Sequence, residues 1–232
     1  MQARPAIIRG VLRNLAATRF LSLFLLLLCA ALLFPACGRQ EESAEPTATE
    51  DSVTSERRLK DAAFKNGPDS PLPEPDRAGF RGLAYYPIDA SLSFRADLNR
   101  HPVPRKVRIG TNTGEIRDGL RYGWFEFEIQ GAAYCLQAYR MEGNSGNKGP
   151  SLFIPFKDAT SGTETYAAGR YLDLPENTSG VYTLDFNRAY NPYCAYGKNY
   201  SCPVPPPENT LPIAIRAGER DYRASSREIP RK

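Results

Sequence analysis

A segment near the end of the chain, Asp185–Asn209, concentrates side chains that could do chemistry. It reads DFNRAYNPYCAYGKNYSCPVPPPEN and contains two cysteines, four tyrosines and several short amides. The preceding strand-like run, Val181–Asn187, alternates between apolar and polar residues, which places Thr183, Asp185 and Asn187 on one face. Short polar side chains at the end of a strand can cap the next loop or face a pocket.

A ligand site would need partners for these side chains from elsewhere in the chain. Carboxylates, a guanidinium, amides and phenols together can bind a small polar molecule through bidentate and stacking contacts. Two other readings stay open: the short Asp and Asn side chains could serve as turn caps, and the larger charged residues could form a buried structural ion-pair network. The candidate ligand-binding residues are Glu164, Arg170, Asp185, Asn187, Tyr190, Asn191, Glu208 and Asn209.

The cysteines suggest a covalent link more than catalysis. In an oxidising compartment, Cys194 and Cys202 would pair and close a nine-residue loop. The loss of loop entropy in the unfolded chain would make this disulfide stabilise the fold by roughly 2.5 kcal/mol. The alternative is a reactive thiol at Cys194 that is resolved by Cys202, which would require a lowered pKa. Cys135 lies in a predicted strand, so we expect it to be a buried small hydrophobic residue.

Several standard catalytic devices are missing from the sequence. It contains no GxSxG elbow, no GxxxxGK[ST] phosphate loop and no HExxH helix. The single histidine, His101, stands in His-Pro-Val-Pro, where we expect a solvated loop side chain. No histidine lies near Cys194 and Cys202, so a zinc site is poorly supported. The sequence predicts no cofactor and no metal.

The N-terminus has the composition of an export signal. Four arginines precede the uncharged apolar run Phe20–Ala36. The Ala36-Cys37-Gly38 junction resembles a bacterial lipobox, in which Cys37 would be lipidated and become the first mature residue. The alternative is an uncleaved transmembrane anchor, for which 17 apolar residues are at the short limit. Either way, we expect the folded part outside the cytoplasm and tethered to a membrane, on the periplasmic face of an outer membrane if the cell has one.

The charge balance argues against nucleic acid as a partner. The formal net charge of +4 equals the contribution of the four arginines in residues 1–36, which contain no acid. The remaining 26 basic residues balance 26 acidic ones. Because nucleic-acid binding depends on an excess of basic residues, we expect none.

The rest of the chain divides into four segments. Residues 37–54 are acidic and poor in bulky apolar residues, which predicts a disordered tether. Residues 55–78 predict a short helix over Ser55–Lys65, ended by Gly67 and Pro68, and a proline-rich connector. Residues 79–224 predict a β-rich domain, and residues 225–232 a flexible tail. The predicted strands are 123–129, 134–139, 152–156, 171–174, 181–186 and 211–215.

Short strands without long helices predict a mainly β fold. We expect a single antiparallel domain, sandwich or barrel-like, with a short N-terminal helix, preceded by the signal peptide and the tether. In the strand at Phe125, alternation predicts that Phe125, Phe127 and Ile129 face the core, while Glu126 and Glu128 face away.

Six motifs of this chain carry a family resemblance. They are Phe80–Pro87 (FRGLAYYP), Phe156–Tyr166 (FKDATSGTETY), Gly169–Leu172 (GRYL), Asp185–Tyr196, Cys202–Asn209 and Ala217–Glu219. Through them the chain resembles the bacterial and archaeal family called domain of unknown function 1684, over residues 53–223. The resemblance implies no particular reaction, and it places the candidate residues inside the family's distinctive motifs. It also implies that members without an export signal share both cysteines, which keeps a thiol or metal role open.

The sequence therefore predicts a membrane-anchored extracytoplasmic lipoprotein that binds a small polar ligand or an envelope component. The first alternative is an enzyme, with Glu164 or Glu208 as acid and base and Arg170 as an anion clamp. The second alternative is a purely structural interaction protein. The oligomeric state stays open.

Overall fold

A computed structural model describes residues 48–142, 150–197 and 199–222 of the chain. The predicted signal peptide, Cys37 and the tail 225–232 lie outside the described residues. Within the described ranges, no helix is both long and apolar enough to cross a membrane.

Seven strands and two α-helices form the regular structure of this part of the chain. The helices are α1 (Ala48–Asn66) and the single-turn α2 (Glu74–Arg77). The strands are β1 (Ser93–Asp97), β2 (Asn99–Gly110), β3 (Ile116–Ile129), β4 (Ala132–Met141), β5 (Ser151–Phe156), β6 (Arg170–Pro175) and β7 (Val181–Asp185).

The strands form two antiparallel sheets. Five strands pair in the order β2-β3-β4-β5-β6, and β1 pairs with β7 in a separate two-stranded sheet. Apolar residues from both sheets form one core, around Phe186 just after β7, whose ring lies 5.4 Å from the rings of Phe127 and Phe156. The mainly β, sandwich-like fold with an N-terminal helix that the sequence predicted is confirmed.

Strand β3 follows its predicted alternation. Phe125 and Phe127 are buried, while Glu126 and Glu128 are exposed. The period-two pattern fixes which face meets the core, because successive side chains of a strand point to opposite faces. Strands β1 and β2 were not predicted. His101, which we expected in a loop, lies in β2 and bonds Gln137 Oε1 at 3.0 Å.

The predicted strand at 211–215 is wrong. Residues 211–215 form no strand, and the ladder next to them is a single bridge between Lys157 and Thr210. Pro212 has no amide hydrogen with which to continue a ladder. Further along, the Ile215 amide donates to the side-chain oxygen Oδ2 of Asp158 at 2.7 Å instead of to a strand.

Helix α1 begins seven residues earlier than predicted, so residues 48–54 of the predicted tether are helical. Glu50 and Asp51 in its first turn favour this start, because acidic side chains stabilise the positive end of the helix dipole. Val53 is buried, which composition alone did not indicate. The helix ends at Asn66, just before the predicted stop at Gly67, whose amide donates to Ala63 O at 2.8 Å.

Helix α1 also packs against the segment that follows β7. Phe64 joins a second apolar cluster with Leu72, Phe80, Ala195 and Tyr196. The Phe64 and Tyr196 rings meet edge to face at 4.9 Å. Residues 55–78, which the sequence set apart from the β-rich segment 79–224, therefore contact it directly.

Candidate functional site

Arg170, the predicted anion clamp, is a buried structural residue. Its side chain is fully buried, and its guanidinium donates to backbone carbonyls of the segment after residue 214. It reaches Ile215 O at 2.8 Å, Glu219 O at 3.3 Å, and Ala217 O. Asp158 Oδ2, at 3.5 Å, balances its charge. Arg170 therefore holds a strandless segment in place by satisfying its carbonyls, and it does not face solvent.

Asp185 and Asn187 cap the turn that follows β7. Asp185 Oδ1 accepts from the Asn187 amide at 3.0 Å. The Asn187 side chain makes two hydrogen bonds to the backbone of Asp89. Its Oδ1 accepts from the Asp89 amide at 2.9 Å, and its Nδ2 donates to the Asp89 carbonyl at 2.8 Å. Arg188 pairs with the other oxygen of Asp185 at 2.6 Å. This is the turn-capping alternative that the sequence left open.

Glu208 and Asn209 bind strand β4. Asn209 accepts from Gln137 N at 2.8 Å and donates to Gln137 O at 2.9 Å, so its amide imitates a neighbouring strand. Glu208 accepts from the Tyr139 hydroxyl at 3.0 Å and lies 3.8 Å from Arg121. Burial, followed by the charge of Glu208, raises the pKa of Tyr139.

The remaining candidates have partners of their own. Glu164 accepts from Arg216 Nη2 at 2.7 Å and from the Tyr86 hydroxyl at 3.0 Å. The Tyr190 hydroxyl donates to Asp173 Oδ2 at 2.5 Å. Asn191 donates to Arg220 O at 2.9 Å. The eight candidates thus make structural contacts rather than lining one pocket, and Arg170 and Glu208 share no contact partner in the described part of the chain.

The two predicted disulfide partners are neighbours but are present as thiols. Both side chains are buried, and the Cys194 amide donates to Cys202 Sγ at 3.3 Å. The hydrogen bond to Cys194, followed by burial, raises the pKa of the Cys202 thiol. Cys135, expected to be buried, is exposed at the surface of β4, so that expectation is wrong.

A buried carboxylate that the sequence did not single out, Glu219, connects three segments. It is 1% exposed. Lys60 Nζ on α1 contacts its Oε1 at 2.5 Å, and the Asn191 amide donates to its Oε2 at 2.8 Å. The Tyr196 hydroxyl also donates to Oε2. The motif Ala217–Glu219 contained this residue, but no spacing pattern indicated a partner 159 positions away on a helix.

Four buried side-chain polar atoms have no hydrogen-bond partner within the described residues. They are the Tyr85 hydroxyl, Arg57 Nε, Arg170 Nε and Asn191 Oδ1. The Arg57 guanidinium lies 4.4 Å from the centre of the Tyr85 ring. Burial is the main cause that raises the pKa of Tyr85, and the charges of Glu219 and Asp61 raise it further. Tyr85 therefore stays protonated and can donate a hydrogen bond to a carboxylate.

Asp61 lines an open groove of about 270 Å³ between the end of α1 and residues 80–82, here called the α1 groove. Its Oδ1 accepts from the Leu83 amide at 3.0 Å. Burial first, and then the charge of Glu219, raise the pKa of this carboxyl. The groove is lined by Asp61, Ala62, Lys65, Asn66, Phe80, Arg81 and Gly82.

The two cations of the α1 groove have no acidic partner among the described residues. The ion pairs found across the described ranges involve neither Lys65 nor Arg81. Both side chains are exposed. The groove therefore presents one half-buried carboxylate and two free cationic groups to solvent. No group of three or more His, Cys, Asp or Glu side chains suited to a metal ion occurs within the ranges that the structure describes.

Comparisons with known proteins agree with this fold but assign no activity. The family described as Protein of unknown function (DUF1684) matches residues 78–220. An uncharacterized protein of Haloarcula marismortui, solved by solution NMR, is 35% identical. The match covers 74% of this chain and 94% of that chain, with a TM-score of 0.58. No curated protein matches.

Proposed function

We propose a function from the chain's own residues, because the chain belongs to the DUF1684 family and the description of that family names no reaction. The protein is an exported lipoprotein whose folded domain binds a small polar molecule in the α1 groove. The observation that carries this proposal is the groove's set of charges: a half-buried carboxylate, Asp61, faces the same space as two unpaired cations, Lys65 and Arg81.

The charges of the groove define the class of ligand. Lys65 and Arg81 supply cationic donors that suit a carboxylate or a phosphate group, and the guanidinium can bind it bidentately. One oxygen of Asp61 is taken by the Leu83 amide, so Oδ2 is left for a donor on the ligand. Phe80 supplies an apolar wall. We therefore propose a small anion that also carries a hydroxyl or ammonium group.

The tether is proposed from the N-terminus alone. The basic and apolar segments 1–36, followed by Cys37, support lipidation at that cysteine. Mass spectrometry of the wild-type N-terminus should show cleavage before Cys37 and acyl groups on that cysteine, and Cys37→Ala should lose both. A wild-type chain that keeps residues 1–36 and carries no acyl group would instead favour an uncleaved anchor. The lipid-anchored, extracytoplasmic location is part of this proposal.

A catalytic role is the second candidate, and one observation favours it. Asp61 and Glu219 interact electrostatically yet have unlike surroundings, since Glu219 accepts from three donors and Asp61 from one amide. Pairs of carboxylates with unlike surroundings are how enzymes divide acid and base roles. A catalyst of this kind would lose turnover in Asp61→Asn while it retained affinity through Lys65 and Arg81.

Thermal shift of the full chain tests the ligand proposal. The panel pairs each compound that carries an anionic group with a counterpart that lacks this group: glycerol 3-phosphate with glycerol, and γ-aminobutyrate with butylamine. We expect an anion to stabilise the wild-type chain and to lose that effect in Arg81→Ala. Arg95→Ala removes an exposed arginine on β1 and should leave the shift unchanged. Equal shifts in both variants would place binding outside the α1 groove, and no shift with any anion would favour a structural interaction protein.

A further inference from the structure

Strand β2 carries a cluster of exposed positive charge that none of the contacts described above uses. It lies at one edge of the five-stranded sheet, and it contains four basic residues and no acidic one among its twelve. All four basic side chains are exposed, and none belongs to an ion pair within the described ranges. The four residues are Arg100, Arg105, Lys106 and Arg108. We call the surface formed by these four residues and Val103 the basic edge.

An apolar side chain stands in the middle of this charge. Val103 is 75% exposed and is flanked by Pro102 and Pro104. The pairing of β2 with β3 is interrupted between Arg100 and Arg105, so these residues leave the regular ladder. Binding to a lipid surface increases with the apolar area that is buried and with attraction to anionic headgroups, and this segment offers an exposed apolar side chain with cations on both sides.

Edge protection explains only part of this composition. Lysine and proline on an edge strand prevent pairing with another chain, which accounts for the prolines and for some of the charges. It does not account for an exposed valine, because a polar side chain at position 103 would protect the edge better. It also does not require four cations without one acid. A binding role for the basic edge explains both features.

We propose that the basic edge contacts the anionic headgroups of the membrane to which the chain is tethered, with Val103 entering the interface between headgroups and acyl chains. This inference rests on the proposed membrane tether, which would keep the domain close to the lipid surface. Each Lys or Arg near an anionic surface contributes about fivefold to association, and salt screens the attraction within a Debye length. The contact therefore holds the domain flat on the membrane at low salt and releases it at high salt.

Fluorescence of the full chain in vesicles tests the contact. Trp124 is the only tryptophan of the chain, so the Val103→Trp/Trp124→Phe double variant has one reporter at the centre of the basic edge. We expect brominated lipid to quench it in vesicles of phosphatidylcholine with phosphatidylglycerol, and not in phosphatidylcholine alone. High salt should abolish the quenching. Equal quenching in both kinds of vesicle, or none in either, would overturn the proposal.

A matched pair of variants assigns the effect to β2. Arg105→Ala/Lys106→Ala should weaken the salt-sensitive association about twenty-fivefold. Arg58→Ala/Arg95→Ala removes the same charge from α1 and β1 and should leave it unchanged. Should the tryptophan variant fail to fold, the native Trp124 serves as the reporter, because its ring lies 4.9 Å from that of His101 in β2.

Two further results separate this inference from other readings. The tether alone should make the chain float with vesicles of any charge and at any salt concentration. A chain that floats but shows no quenching therefore refutes the lipid contact of the basic edge and leaves the tether proposal intact. A chain that does not float refutes the tether, and the inference with it. Tight nucleic-acid binding at physiological salt that is lost in Arg105→Ala/Lys106→Ala would overturn the lipid assignment.

Discussion

Lys60 Nζ on helix α1 lies 2.5 Å from Glu219 Oε1, and this contact joins residues 159 positions apart in the chain. The Glu219 side chain is 2% exposed, whereas that of Lys60 is 27% exposed. The helix that the sequence set apart from the β-rich domain is thus bound to it through a buried carboxylate. This carboxylate also lies beside Asp61, so the helix forms one wall of the α1 groove and its docking shapes that groove.

Removing Glu219 should destabilise the fold. Glu219→Ala leaves the Lys60 ammonium, the Asn191 amide and the Tyr196 hydroxyl without their acceptor, so we expect a loss of about 3 kcal/mol. Urea unfolding measures it. Lys60→Met should cost less, because the partly exposed lysine stem is replaced by an apolar chain of similar length. A double-mutant cycle that yields no coupling between positions 60 and 219 would show that the pair is not energetically connected.

Arg170 should be among the most costly residues to replace. Arg170→Met leaves three backbone carbonyls without their guanidinium donor and the buried Asp158 carboxylate without its cation, and we expect a loss of about 3–5 kcal/mol. Arg216→Met, at a pair whose arginine side chain is 61% exposed, should cost under about 1 kcal/mol. Similar unfolding midpoints for the two variants would contradict the structural role given to Arg170.

Gly218 is required by a close approach, and Gly180 supplies a matched control. Both glycines have φ of +74°. A Cβ at Gly218 would lie 2.4 Å from Ala189 O, whereas at Gly180 it would meet nothing within 4 Å. Each alanine variant should incur the backbone cost of about 1–2 kcal/mol, and only Gly218→Ala should add a steric cost. Equal free energies of unfolding for the two variants would exclude the steric contribution.

The two buried cysteines should link when the protein is exported. The side chains of Cys194 and Cys202 are hydrogen-bonded to each other, so the two thiols are already neighbours. Each thiol would lose a proton and the pair would lose two electrons to a disulfide oxidant of the compartment. Non-reducing mass spectrometry of exported protein should show residues 194 and 202 linked. Two alkylatable thiols after export would show that the predicted disulfide does not form.

Stability should depend on pH through Asp61. Burial and Glu219 raise its pKa in the folded protein above the ordinary value of 3.8, while the unfolded chain keeps the ordinary value. The carboxyl therefore contributes stability that is fully present below the ordinary pKa and is lost as pH rises through the raised one. Asp61→Asn should remove this decline in urea midpoints measured from about pH 3 to about pH 7. A wild-type profile in the variant would mean that Asp61 does not cause the decline.

The parts of the fold with a local pattern were predictable. The alternation of Phe125, Glu126 and Phe127 determined the faces of β3, and Gly67 marked the end of α1. The start of α1 was missed, because the burial of Val53 depends on contacts made only in the folded chain. The strand at 211–215 was predicted from apolar residues, yet only Leu211 and Ile213 bond to the backbone after β5, and the backbone of Ile215 is satisfied by the side chains of Asp158 and Arg170.

The site was predictable only in its residue types. Polar motifs pointed to Arg170, Asp185 and Asn209, but a motif does not reveal whether a polar group faces solvent or a buried backbone carbonyl. Each of these three proved to satisfy backbone or turn groups. The charges of the α1 groove come from a helix and from a loop, and neither has a periodic pattern. Their meeting is a consequence of how α1 packs, which no local spacing encodes.

Calorimetric titration tests binding in the α1 groove most directly. The anion that stabilises the full chain is titrated into wild type, Arg81→Ala and Arg95→Ala. We expect saturable binding to wild type and Arg95→Ala, and an affinity at least about tenfold lower in Arg81→Ala, because a charge-assisted hydrogen bond is lost. The same affinity in all three proteins, or no heat of binding with any anion, would contradict a ligand site at Asp61, Lys65 and Arg81.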